Sequence, residues 1–348
     1  MLSRKTWIGK LMQAQVPRPT LAESSTLAVP IPRVEAQAPP SARQATENRE
    51  DRAFGILVLA AGLLITVLAV LLVLSMLQAG FQALAQFGPG FLVGTTWNPV
   101  AHEFGVLPAI FGTVVTAAIG LLLAVPVGIG AAIFLAELSP QWLSRPVSFL
   151  IEMLAAIPSV IIGLWGLFVV VPVVRQLESF MGHNLGFIPI FSGPAFGIGL
   201  LSAGVLLAIM VLPIITAITR DVIRYVPNTQ REALLALGAT RWETIARVVL
   251  PYGRNGIVGA IILALGRALG ETLAVSMIIG NTFKISPSIF STATTLASLI
   301  STQFREADSP IYLSALIAAG LVLFAITVVV NIFARLLTWR LGAYPIGS

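Results

Sequence analysis

Arg267 and Glu271 are the residues whose chemistry asks first for an explanation. They are opposite charges four positions apart, inside an apolar stretch of 25 residues, 256–280. As a helix rising 1.5 Å per residue, that stretch would place Arg267 roughly 16 Å from its start. In a hydrocarbon core about 30 Å thick, this is close to the midplane. A lone arginine at that depth costs at least about 2.5–3.5 kcal/mol, so the pair is expected to face protein or a water-filled cavity. Two roles fit. One is an ion pair locking this helix to its neighbours, with base before acid the weaker order at i,i+4. The other is a path for an anion, since ionisable groups inside a membrane usually mark a pathway. Gly266 and Gly270, also four apart, would form a small-residue ridge that lets another helix approach closely.

The elements that must position these groups follow from composition. The chain is 57% hydrophobic and 10% charged, with a mean hydropathy of +0.92. A soluble domain would be about 25% charged, so this is an all-α integral membrane protein. Six apolar segments reach the ~20 residues that a crossing needs: 53–77, 109–136, 147–174, 195–219, 256–280 and 311–334. Pro126, Pro158 and Pro213 interrupt three of them, which neighbouring helices make tolerable. Pro158-Ser159 is expected to kink the third, and Glu152, near that segment's start, to serve a structural role. Trp97, Trp142 and Trp339 lie near segment ends and read as interfacial anchors. Residues 1–52, rich in Pro, Ala, Ser and Gln, read as a disordered tail. Within it Trp7, Ile8, Leu11 and Met12 beside Lys5 and Lys10 suggest a short helix on the membrane surface.

Of the 21 lysines and arginines, 17 fall on one side of this topology and 3 on the other, with Arg267 in between. That bias puts both termini and the connection between the fourth and fifth segments in the cytoplasm. The net charge of +6 is therefore a topology signal, and no nucleic-acid partner is implied. There are no cysteines, which excludes disulfides and thiolate chemistry. His102 and His183 lie far apart and do not suggest a metal site. No G-x-x-x-x-G-K-[ST] loop or G-x-G-x-x-G is present, so this chain is expected to be no enzyme, with any ATPase and its Mg on a separate polypeptide.

The connection 227–251 has its own local physics. Thr229 with Glu232, and Thr240 with Glu243, have capping-box spacing. Gly238 between them is placed to stop the first helix in the left-handed conformation. Two short helices are expected, with Pro251 in a linker to the fifth segment. A helix of about eight residues is marginal alone in water, so it needs a partner. Glu232-Ala233-Leu234, Gly238, Val248 and Leu250-Pro251 resemble the EAA loop of ABC importer permeases, with Leu234 and Val248 as apolar departures from its pattern. The resemblance implies that 228–251 is the coupling loop, whose first helix sits in a groove of a cytoplasmic ATPase. It also implies a type I importer core of the MetI-like kind over 53–340.

G-R-A-L-G-E-T (266–272) with the following S-M-I-I-G-N is similar to the phosphate permease family of PstC type. So are W-N-P (97–99), F-G-V-L-P-A-I-F-G-T (104–113), F-L-A-E-L-S-P (134–140) and I-E-M-L-A-A-I-P-S-V-I-I-G-L-W-G (151–166). The resemblance implies a subunit of an ATP-driven importer of inorganic phosphate in the bacterial inner membrane. It implies a PstA-like sister permease, a PstB-like ATPase dimer and a PstS-like binding protein, with Arg267, Glu271 and Thr272 in the substrate path. Arg267 would attract the anion while Glu271 accepts from its O–H, a donor that hydrogen phosphate has and sulfate lacks. One arginine offset by one glutamate is too little for a dianion, so further basic groups are expected from the sister permease. A permease for another oxyanion (sulfate or molybdate) is the nearest alternative. A secondary transporter, which would often show paired inverted repeats, is the next.

Overall fold

The computed structural model describes the backbone of residues 42–341 and the side chains of 51–336. The tail expected over 1–52 lies largely outside these residues, as do the surface helix proposed within it and the Trp339 side chain. The chain divides into two units, 1–63 and 64–348. The described part of the first is helical: α1 (Ala42–Phe87) begins ahead of the expected segment.

The second unit continues through α2 (Gly90–Val93) and a two-residue ribbon of β1 (Trp97–Asn98) and β2 (Glu103–Phe104). Then come α3 (Leu107–Ile133), α4 (Gln141–Ala155), α5 (Ser159–Trp165), α6 (Val171–Leu185) and α7 (Leu200–Arg224). After them lie α8 (Asn228–Ala236), α9 (Arg241–Thr244), α10 (Leu250–Gly270), α11 (Leu273–Ile278), α12 (Leu296–Gln303) and α13 (Pro310–Leu341). Six helical stretches among the described residues are long and apolar enough to cross a membrane: Asp51–Phe87, Leu107–Leu138, Ser159–Leu185, Leu200–Arg224, Arg241–Gly270 and Pro310–Leu336.

The centre is the pair α3 and α7. The buried face of α3 is a stripe of small residues: Ala109, Gly112, Thr116, Gly120, Ala124 and Gly128. A Cβ on Gly120 would sit 3.0 Å from Leu207 Cβ, and one on Gly128 would sit 2.9 Å from Ile215 Cγ2. Because both numbers rise together, the two helices run in the same direction. Missing side chains let the backbones approach, and dispersion plus close packing holds them where hydrocarbon supplies no hydrophobic drive. α10 runs opposite to α7: Gly256 meets Val222, while Gly259 shares a groove with Ile214.

The third expected segment, 147–174, is not one helix. Pro158 breaks it, because proline disfavours helical geometry in the residue before it and removes a donor. α4 ends at Ala155, and the membrane-length stretch runs instead over Ser159–Leu185. α4 is polar on its inner face and apolar outside. Ser144 and Ser148 are buried, while Trp142, Phe149, Leu150 and Met153 are exposed. Arg220 of α7, itself buried, donates to Glu152 Oε1 at 2.9 Å and to Asp221 Oδ1 at 2.8 Å. Arg224 donates to Ser144 Oγ at 2.8 Å. Glu152 thus has the structural role expected of it.

Three π-helical turns occur among the described residues, and each ends two positions before a proline. They are Phe134–Leu138 before Pro140, Gly166–Val170 before Pro172 and Ile245–Val249 before Pro251. A proline ring clashes with the carbonyl four residues back and has no N–H to give it. Widening the preceding turn moves those carbonyls aside. Helix therefore runs unbroken from Arg241 to Gly270, and Pro251 lies inside it, not in a linker.

Residues 271–303, expected in part as an outer loop, are packed into the bundle: Ile278, Ile279, Phe290, Leu296 and Leu299 are all buried. Irregular backbone is tolerated there because its polar groups find protein partners. The amides of Gly199, Leu200 and Leu201, which open α7, donate to the carbonyls of Ile278, Ser291 and Ile289 at 3.1, 3.0 and 2.9 Å. Trp97, expected at an interface, is also held by protein contacts. It packs edge-on to Phe104 with ring centroids 4.9 Å apart, and its Nε1–H donates to Gln303.

Gly112→Ala tests this close approach, because its Cβ would meet the Thr294 carbonyl oxygen. Overpacking against backbone is expected to cost about 1–3 kcal/mol. Gly130→Ala, with nothing within 4 Å of its Cβ, is expected to change stability by less than about 0.5 kcal/mol. Thermal unfolding of the detergent-solubilised variants compares the two.

Candidate functional site

The fifth membrane helix stops where the charged pair was expected to continue it. α10 ends at Gly270, Glu271 is extended (φ −69°, ψ 125°), and helix restarts at Leu273. Glycine at 270 weakens the helix, and Glu271 supplies an alternative acceptor: its Oε1 takes the Ala274 N–H at 3.4 Å, capping α11. Thr272 Oγ1 donates to the Gly270 carbonyl at 3.1 Å, also bridging the break. The i,i+4 geometry is therefore lost. Arg267 and Glu271 form no ion pair, and Arg267 makes no hydrogen bond or ion pair with any described residue.

Arg267 instead faces an open groove of about 580 Å³ lined by Ile214, Gly259, Ile262, Leu263, Gly266 and Asn331. α10 contributes its residues at helical spacing, α7 contributes Ile214 and α13 contributes Asn331. An exposed guanidinium beside one amide, in walls otherwise apolar, is an anion-attracting surface that this chain leaves unneutralised. Gly266 lines the groove, and a Cβ on Gly266 or Gly270 would touch nothing within 4 Å. The expected glycine ridge is real in sequence, but among the described residues no helix packs on it. Sequence periodicity put Arg267 and Glu271 on one helix face, and the structure keeps only Arg267 on α10. That periodicity missed the break, whose signal was Gly270 followed by a residue able to cap, and it missed Asn331 altogether.

The second cluster lies beyond the end of α7. α8 has Pro227 at its N-cap and no side-chain cap, so the capping box expected from Thr229 and Glu232 does not form. With the helix starting at Asn228, Thr229 and Glu232 both fall inside it, and Pro227 at the cap position has no side-chain oxygen to offer. The other box does form: Thr240 Oγ1 accepts from the Glu243 N–H at 3.3 Å, and Glu243 Oε2 accepts from the Thr240 N–H at 2.8 Å. Gly238 has φ +87°, as its expected role requires. Its N–H donates to Leu235 O at 2.9 Å and that of Ala239 to Leu234 O at 3.3 Å, the two bonds of a Schellman stop. No residue of α8 is buried. Glu232, Ala233 and Leu235 are exposed, Leu234 is half-buried, and Leu237 is 83% exposed. Leu250 and Pro251 lie inside the continuing helix that leads to Arg267.

Missed by the sequence reading is what holds α8 in place. Arg231 reaches back to Glu137, in the π turn that closes α3, with Nη2···Oε1 at 2.7 Å and both side chains about 15% exposed. They are 94 positions apart, so no local pattern could reveal them.

Residues 124–342 match the family described as "Binding-protein-dependent transport system inner membrane component". The chain is 47% identical over 311 residues to the "Phosphate transport system permease protein PstC" of Mesorhizobium japonicum, covering 87% of this chain and 95% of that protein. It is 47% identical over 308 residues to the protein of the same name from Xylella fastidiosa strain 9a5c, with the same shares covered. A chain of the crystal structure titled bacterial alginate ABC transporter in complex with alginate pentasaccharide-bound periplasmic protein superposes with a TM-score of 0.52 at 20% identity. That match covers 82% of this chain and 95% of the other. The fold is thus the MetI-like fold of ABC importer permeases, in a multi-pass membrane protein.

Because the chain has no cysteine, a single one reports on its surroundings without background. In membrane vesicles holding this chain alone, Gly266→Cys is expected to react with a charged, water-soluble thiol reagent, since the open groove would hold water around Arg267. Leu122→Cys, on the 76% exposed lipid-facing side of α3, is expected not to react. Equal labelling at both positions would refute a wet groove.

Proposed function

The chain belongs to the family of binding-protein-dependent transport system inner membrane components, and we propose that it is the permease subunit of an ATP-driven importer of inorganic phosphate. The observation that carries the substrate is 47% identity over most of the chain to permeases named for phosphate transport. The unpartnered Arg267 in an open groove agrees with an anionic cargo.

In this proposal both termini and the α8–α9 pair lie in the cytoplasm of a bacterium, beneath its inner membrane. A PstA-like sister permease closes the groove. The open flank at Gly259, Gly266 and Gly270 is the surface it would pack on, and it would bring the further cations that a dianion requires. A PstS-like binding protein delivers phosphate from outside. A PstB-like ATPase dimer, which holds the ATP and Mg, grips α8. This chain forms and breaks no covalent bond. Its work is to alternate between outward and inward openings while Arg267 attracts the anion electrostatically. Glu271, with one oxygen on the Ala274 N–H, keeps the other for the O–H of hydrogen phosphate. Thr272, beside it at the break, completes the polar edge of the path. Free backbone groups at the ends of α10 and α11 add partial charges there, as at other interrupted membrane helices.

Reconstitution of the four-component complex in vesicles tests the proposal. Phosphate-loaded binding protein is expected to stimulate ATP hydrolysis and uptake, and stimulation by sulfate would overturn the substrate. Arg267→Ala should lower uptake at least about tenfold, the equivalent of ~1.4 kcal/mol and typical of one lost charge-assisted hydrogen bond. Glu271→Gln should erode the preference for phosphate over sulfate, and an unchanged preference would remove Glu271 from the selectivity argument.

A further inference from the structure

We propose that the Arg231–Glu137 contact is the joint that carries displacement of α8 into the α3–α7 pair. This rests on α8 being the helix that the ATPase moves. The ends of α3 and α7 and the turn after α9 already form one body: Ala132, Ile133, Ile223, Val226, Ile245 and Val249 are buried against one another. α8 shares none of that burial, as no residue in it is buried. Apart from its peptide link through Pro227 to buried Val226 and a light contact with the 245–249 turn, it has two attachments. One is the Schellman turn at Gly238, whose surroundings are open, since a Cβ there would meet nothing within 4 Å. Alone, such a turn is a hinge and transmits little force.

The other attachment is Arg231. A guanidinium has five N–H groups, and all five find acceptors here. Nε and Nη2 both donate to Glu137 Oε1, at 3.1 and 2.7 Å. Nη2 also donates to Ile223 O at 2.8 Å, and Nη1 to Val226 O and to Asn228 Oδ1, the latter at 3.1 Å. One side chain thus joins the start of α8, the last turn of α7 and the closing turn of α3. The α3 side is held in turn, because Leu135 O accepts from Ser144 Oγ at 2.8 Å, and Ser144 Oγ accepts from Arg224. With two fixed points, α8 is a lever. With Arg231 cut, α8 is left on its chain connections at Pro227 and Gly238 alone, and motion at α8 is weakened before it reaches the membrane. Arg231 and Glu137 are positioning residues that touch no substrate.

The test uses the reconstituted complex with Arg231→Ala, Arg231→Lys, Glu137→Gln and the double variant Arg231→Ala/Glu137→Gln. The expected result is at least a tenfold fall in phosphate taken up per ATP hydrolysed for the alanine and glutamine variants, with the ATPase still co-purifying. Lysine should recover part of the ratio, and the double variant should be no worse than Arg231→Ala alone. An unchanged ratio would overturn the proposal. So would a fall caused only by loss of the ATPase from the complex, because Arg231 would then hold α8 for binding and transmit nothing. Cross-linking from Leu237→Cys to the ATPase checks the underlying premise separately. Its absence would refute the docking of α8 whatever the variants do.

Discussion

In hydrocarbon, a backbone amide or carbonyl without a protein partner has no water to turn to, and that penalty of several kcal/mol per group shapes every irregular part of this molecule. Proline and glycine interrupt its helices repeatedly, and each interruption is answered. Ahead of Pro172 and Pro251 the chain widens into a π turn and continues as helix. The amides that open α7 are taken up by carbonyls at the end of α11 and in the packed segment after it. At Glu271 the accounting stays partly open: the helix stops, one carboxylate oxygen covers one amide, and the adjoining groove is open to whatever enters it.

Packing follows a complementary logic. Where water cannot drive burial, cohesion comes from close backbones and from polar groups turned inward. The stripe Gly112, Gly120 and Gly128 brings α3 against α7. Ser144 and Glu152 turn the polar face of α4 toward Arg224 and Arg220, leaving its aromatic and aliphatic side outward. The inner seam is closely packed, the outer face is apolar, and Arg267, whose side chain has no partner among the described residues, faces the groove.

Much of this was legible in the residues, and the failures have physical causes. Six spans follow from hydropathy because length and apolarity are local quantities. Gly238 and the Thr240–Glu243 box were readable because caps act within four residues. The Thr229–Glu232 box looked equally good and fails because Pro227 occupies the cap position. The third and fifth segments were drawn as continuous because an apolar run cannot report a break between two helices of equal hydropathy. Pairs that define the working parts, Arg231 with Glu137, Arg220 with Glu152 and Arg267 beside Asn331, join distant positions and become visible only when the chain is folded.

The π turn at Ile245–Val249 also sets a rotational phase. A turn closed by an i→i+5 bond holds one residue more than an α turn, and one residue is about 100° of rotation. Everything beyond Leu250 is therefore turned by that angle relative to the capped start at Thr240. Arg267 faces the groove with that surplus residue about five turns below it. The angle at which Arg267 meets the groove is thus set partly by the turn at the helix's start, far from the groove itself.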